Sequence, residues 1–109
     1  MTKLADATFS AGGSEYSFTA YSADTSFNDV SAVYIFTKRT VKDGKGSHSF
    51  LYIGETGELG TRISSHEKWG CVNSHGCNCI CVHRIDGDRA RSDIETAFRN
   101  AHNTPCNDQ

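Results

Sequence analysis

Residues 50–70 read FLYIGETGELGTRISSHEKWG. An apolar run from Phe50 to Ile53 meets Gly54 and then a glycine-bearing turn. Past the turn, at 100° per residue, Leu59 and Ile63 fall on one stripe of a helix. Arg62 and His66, four residues apart, lie beside that stripe on consecutive turns. The stretch predicts a strand feeding an amphipathic helix. It fits ordinary packing, and equally one half of a site whose other half lies elsewhere in the chain.

Toward the N-terminus, AVYIFT (residues 32–37) is β-branched and aromatic and predicts a buried strand. KDGKG (42–46) is a turn, so this strand and SFLYIG (49–54) form an antiparallel hairpin. SEYSFTAYS alternates Tyr16, Phe18 and Ala20 with polar residues and predicts a half-buried strand. Residues 1–13 read as a loose leader. Toward the C-terminus, WGCVNSHG reads as a loop and CNCICVHR (77–84) as a third strand of the main domain. DGDRARSDIETAFRNAH is a second amphipathic helix. Ile94, Ala97, Phe98 and Ala101 stand at i, i+3, i+4 and i+7, with Glu95 at the stripe's edge. Ser92 and Glu95 have the spacing of a capping box. A start near Asp88 is preferred, which sets Glu95 inside the helix. The order β, β, α, β, α describes an α+β domain with an antiparallel sheet.

The 109 residues suffice for one domain. A net charge of −2 and a pI near 6.2 argue against a protein that coats nucleic acid by bulk charge, while leaving room for a local basic groove. No apolar run approaches the roughly 20 residues that span a bilayer, and the N-terminus has no apolar signal segment, so a cytoplasmic location and no membrane partner are expected. Five cysteines, an odd number, suggest reduced thiols. Cys71, Cys77, Cys79 and Cys81, with His75 and His83, invite a zinc reading. Alternation along a strand would hold Cys77, Cys79 and Cys81 about 6.5–7 Å apart, too far for one tetrahedral ion, so small buried hydrophobes are the expected role.

Tyr34 and Tyr52 stand mid-strand in the hairpin and can share one face. Together with Arg62, His66 and Glu95 they form a set suited to phosphodiester cleavage. A carboxylate holds Mg²⁺, a guanidinium and the metal neutralise the phosphate, and a phenol or imidazole activates water. Each has a plainer reading: core aromatics for the tyrosines, an ion pair with Glu58 for Arg62, an exposed cation near a helix C-terminus for His66.

In this ordered set the chain resembles a GIY-YIG endonuclease domain from about residue 30 to the C-terminus. Ala32-Val33-Tyr34 stands in the Gly-Ile-Tyr place and Tyr52-Ile53-Gly54 is the second motif intact. Arg62 and His66 follow at the family's spacing, Glu95 matches its metal-binding glutamate, and Asn107 in TPCN matches its closing asparagine. Ala32 departs from the family glycine by one methyl.

The resemblance implies a central three-stranded antiparallel sheet flanked by helices over residues 30–109. Residues 1–29 would be an extension with room for one added strand. It implies metal-dependent cleavage of DNA, with Mg²⁺ on Glu95 and Mn²⁺ as a substitute. Tyr34 or Tyr52 would activate water with help from His66, Arg62 would stabilise the phosphate, and Asn107 would orient Tyr34. Gly54, Lys38, Lys42 and Lys68 would contact substrate. Sequence specificity is expected to be low unless a targeting protein assists. A binding or protein-interaction module of the same fold, without cleavage, is the alternative.

Overall fold

A computed structural model describes residues 3–107. Five strands are present: β1 (Lys3–Ala11), β2 (Ser14–Ser22), β3 (Ala32–Lys42), β4 (Lys45–Thr56) and β5 (Cys79–Arg84). Three helices accompany them: α1 (Leu59–Ser64), α2 (Trp69–Ser74) and α3 (Asp88–Ala101). The strands form one sheet in the order β1-β2-β5-β3-β4, and every neighbouring pair is antiparallel. Two-residue turns, Gly12-Gly13 and Asp43-Gly44, close the two hairpins, with φ positive at all four positions, as hairpin twist demands.

The expected three-stranded sheet is therefore corrected to five strands. β3, β4 and β5 match the predicted strands, but the N-terminal segment adds two strands, not one. The residues read as a leader form β1 and the Gly12-Gly13 turn, apart from Met1 and Thr2, which lie outside the described residues. Ala5, Ala7, Phe9 and Ala11 alternate toward the core there. Phe18 and Ala20 on β2 are fully buried in the same core as Ile35 and Ile53.

The sheet curls into a half-barrel. Phe9 on edge strand β1 meets Phe50 on the opposite edge strand β4, ring centroids 4.8 Å apart, across the concave face. Helix α3 covers that face, burying Ile94 and Phe98 against Phe18, Val33, Ile35 and Ile53. The convex face carries the other alternation of β3, Ala32, Tyr34 and Phe36, beneath Leu59 and Ile63 of α1 and Val72 of α2. Strand β3 is buried on both faces, so its sequence is apolar without a break from Ala32 to Phe36.

Two further expectations change. WGCVNSHG is not a loop throughout, because Trp69–Ser74 is helical. The Trp69 indole N–H donates to the Ile63 carbonyl at 2.7 Å and the ring stacks on Phe36 at 4.8 Å, so tertiary anchors outweigh a polar composition. The thiols are not all reduced: Cys71 on α2 and Cys106 in the tail form a disulfide, and Cys77, Cys79 and Cys81 are free. An odd count excludes only complete pairing. Helix α3 begins at Asp88 with Gly87 as its N-cap, so Ser92 caps nothing. No helix among the described residues is long and apolar enough to cross a membrane.

Candidate active site

Tyr34 on β3 is paired with Gly54 on β4, and Phe36 with Tyr52. The two tyrosines are thus diagonal neighbours on the convex face. Their rings stack at 6.1 Å with 25° between planes. Gly54 makes this arrangement possible. A Cβ there would stand 2.5 Å from Cζ and Oη of Tyr34 and 2.9 Å from Cε1 of Tyr52, and both rings resist displacement in a packed core. Gly54 is buried beneath the tyrosines, so its place is packing rather than a substrate surface. Ala32, two residues before Tyr34, is fully buried with its methyl accommodated.

Helix α1 begins against the loop that precedes β3. The Asp29 carboxylate accepts from the backbone N–H and the hydroxyl of Thr61, at 2.6 and 2.9 Å. Gly60 lets that loop approach, since a Cβ would lie 2.2 Å from the Phe27 carbonyl oxygen. The helix ends at Ser64, so His66 does not ride on it as expected. His66 stands in the turn that follows and is buried, 4% exposed, against the edges of Phe36 and Tyr52.

The His66 ring bridges two partners. Its Nδ1 accepts the Lys68 backbone N–H at 3.1 Å, and its Nε2 lies 2.8 Å from Tyr34 Oη. Burial, reinforced by the Arg62 charge, lowers its pKa to about 4, so the ring is neutral near pH 7. With Nδ1 accepting, the remaining proton belongs on Nε2 and is donated to the tyrosine oxygen. Tyr34 is held firmly as a phenol, its pKa raised by burial first and Tyr52 second, while Arg62 pulls the other way.

Arg62 is fixed by a residue not anticipated from sequence. Its guanidinium donates to both carboxylate oxygens of Glu67, at 2.5 and 3.1 Å, rather than pairing with Glu58. That hydrogen bonding draws the exposed Glu67 carboxyl down to about 2. A spacing of five residues is no helical pair; it works because the chain turns after Ser64. Arg62 also lines a cleft of about 300 Å³ with Thr56, Gly57, Glu58 and Thr61.

Asn107 acts on β4 rather than on Tyr34. Its amide N–H donates to the Ile53 carbonyl at 2.9 Å, and its carbonyl oxygen accepts the Ile53 N–H at 2.8 Å. The Cys106 N–H donates to the Leu51 carbonyl at 3.0 Å. The tail thereby covers the exposed edge of β4 on both sides of Tyr52, and the disulfide ties it to α2.

Glu95 lies apart from this cluster. On α3 it is half-buried, 3.6 Å from Arg99, and its carboxyl is pushed up by burial and by the neighbouring charge of Glu55. Glu55 follows Gly54 on β4. Arg91, itself buried, pins α3 to that strand end by pairing with Glu55 at 3.0 Å and with Asp88. Each of the two carboxylates thus already faces a guanidinium, Glu55 that of Arg91 and Glu95 that of Arg99. Among the candidate lysines, Lys38 is exposed on β3 and runs along Gly76, and Lys68 lies near His66. Lys42 is eight residues beyond Tyr34 on β3, about 26 Å along the strand, and does not reach the cluster.

No protein-family model, no curated protein and no solved structure matches this chain.

Proposed function

We propose that the chain is a GIY-YIG-type endonuclease that hydrolyses DNA phosphodiester bonds with a divalent cation, Mg²⁺ or Mn²⁺. The observation that carries this reading is the gathering of Tyr34, Tyr52, Arg62 and His66 over Gly54 on one face of the sheet. Arg62, at the mouth of its cleft, meets the phosphate and stabilises charge that develops on it. His66 donates through Nε2 to the fully buried Tyr34, whose oxygen also faces Arg62 and Tyr52, so Tyr34 fixes those two groups in place rather than holding a water itself. Tyr52, half-buried where Tyr34 is fully buried, orients the attacking water. Asn107 keeps Tyr52 in register through Ile53. Glu95, on the α3 side of the sheet, is the residue that would hold the cation, and the cation would supply Lewis-acid stabilisation of the phosphate and a more acidic water.

DNA is the substrate in this reading, cleaved with little sequence preference unless a targeting protein directs it. A cytoplasmic setting is where such an enzyme meets DNA; there the Cys71–Cys106 bond would exchange with the thiol pool. A binding module without cleavage is the second reading, favoured by the two-pronged Glu67 clamp that already occupies the Arg62 fork.

Nicking of supercoiled plasmid with Mg²⁺ or Mn²⁺ tests both readings. Metal-dependent nicks that vanish in Glu95→Ala and Arg62→Ala, with folding intact, are expected. Undiminished nicking by Glu95→Ala removes the metal assignment. A folded but silent wild type whose DNA gel shift is unaffected by metal selects the binding module.

A further inference from the structure

We propose that His48, Cys79 and Cys81 form a binding site for a soft, zinc-class divalent cation on the concave face of the sheet. This site lies on the opposite face from Tyr34 and does not rest on the nuclease reading.

Strand alternation places Cys79 and Cys81 on one face of β5, and both are fully buried. Cys77, which precedes the strand, is not part of the group; its thiol faces the Cys79 carbonyl. The expected spacing of about 6.5–7 Å describes backbone positions. The side chains lean together, and the two Sγ atoms are 3.9 Å apart. His48 reaches them from β4 across β3. It lies three residues before Leu51, the extra residue where β4 bulges opposite Phe36 and Thr37, and its Nδ1 lies 3.8 Å from Cys81 Sγ. All three ligand atoms fall within 4.8 Å of one another.

A tetrahedral zinc ion with Zn–S near ~2.3 Å and Zn–N near ~2.0 Å sets its ligand atoms about 3.8 Å apart for S···S and about 3.5 Å for S···N. The observed Sγ–Sγ and Sγ–Nδ1 separations are within a few tenths of an ångström of those edges. The Thr37 hydroxyl, 2.8 Å from His48 Nδ1 and fully buried, stands beside the fourth position. Small-hydrophobe packing accounts for two buried cysteines. It does not account for an imidazole nitrogen, bonded to a buried hydroxyl, that also reaches the Cys81 sulfur in a core whose other members are apolar.

An entry path exists. A cleft of about 370 Å³ between β1 and the β3–β4 hairpin is lined by Asp6, Phe9, Arg39 and His48. In its wall, Arg39 Nε is buried without a hydrogen-bond partner among the described residues. Binding takes up the cation, forms two metal–thiolate bonds and one metal–imidazole bond, and releases the two thiol protons to solvent. The other sulfur-bearing group, Cys71, His75 and Cys106, does not compete, because its two sulfurs are bonded to each other.

The test titrates Co²⁺, then Zn²⁺, into the full chain with its disulfide intact. One equivalent of cobalt should give a thiolate-to-metal band with tetrahedral ligand-field bands, bleached by zinc, with about two protons released. Cys79→Ser and Cys81→Ser should each abolish the thiolate-rich spectrum, and His48→Gln should weaken binding more than about tenfold. Cys77→Ser and the Cys71→Ser/Cys106→Ser double variant should retain it. Far-ultraviolet circular dichroism reports whether each variant folds. No cobalt band in the folded wild type overturns the proposal, as does a band that survives Cys79→Ser or is lost in the Cys71→Ser/Cys106→Ser variant. Because metal binding is read directly, a chain that fails to cut DNA can still pass.

Discussion

The two faces of strand β3 differ in chemistry although one alternation builds both. On the convex face, Tyr34 enters a chain of ordinary polar partners: the Lys68 N–H, the His66 ring and the phenol, with the Arg62–Glu67 pair alongside. On the concave face, Thr37 sits among two thiols and an imidazole within an aromatic core. The convex polar chain is made of oxygen and nitrogen groups, whereas the concave group pairs two free thiols with an imidazole, so the two suit different ligands. A strand buried on both faces can carry two sites whose residues alternate in sequence and never touch.

The faces should respond differently to single changes, and three substitutions sharpen the contrast. Phe98→Ala opens a cavity where α3 plugs the half-barrel and should cost about 3–5 kcal/mol, measured by urea unfolding. A loss below about 1 kcal/mol would mean that α3 is not what closes the concave core. Gly54→Ala forces a methyl against Tyr34 and Tyr52 and should cost about 1–3 kcal/mol. Nicking should fall out of proportion to that loss, since the tyrosines must separate. Unchanged activity would show that their stacking is irrelevant to the convex site.

The effect that vanishes at neutral pH is a pH dependence from His66. Its folded pKa, about 4, lies below the unfolded 6.5, so the unfolded chain binds a proton that the native ring refuses. Stability should therefore fall as pH drops from about 6.5 toward about 4, with no His66 contribution above that window. His66→Gln should flatten the profile in that window. An equally steep fall in the variant would assign the acid sensitivity to other groups.

Much of this was legible in the residues. AVYIFT and SFLYIG around KDGKG specify a hairpin, because β-branched and aromatic runs around a turn have few alternatives. The stripe from Ile94 to Ala101 specifies a helix that starts before Ser92. Strand β1 was missed, although Ala5, Ala7, Phe9 and Ala11 alternate ahead of Gly12-Gly13. Small alanines carry a weak hydrophobic signal, and that is why the segment reads as a leader. Helix α2 was not legible, since only Phe36 and the Ile63 carbonyl, distant in sequence, give Trp69 its anchors.

The site divides along the same line. Strand alternation sets Tyr34 and Tyr52 on one face, but the helical period that joined His66 to Arg62 ends at Ser64, and His66 reaches Tyr34 from the turn instead. Neither the Glu67 clamp on Arg62 nor the pairing of Asn107 with Ile53 follows from periodicity. Both arise where the chain leaves regular structure, after Ser64 and after Ala101. Sequence parity could not select Cys71 and Cys106 for a bond from five cysteines. Strand geometry alone set the sulfurs of Cys79 and Cys81 too far apart, until side-chain lean and a bulge brought His48 to them. Local patterns determine which face a side chain takes. Only the closed sheet decides which side chains meet across it, because those distances depend on strand order, curl and bulges that no local pattern encodes.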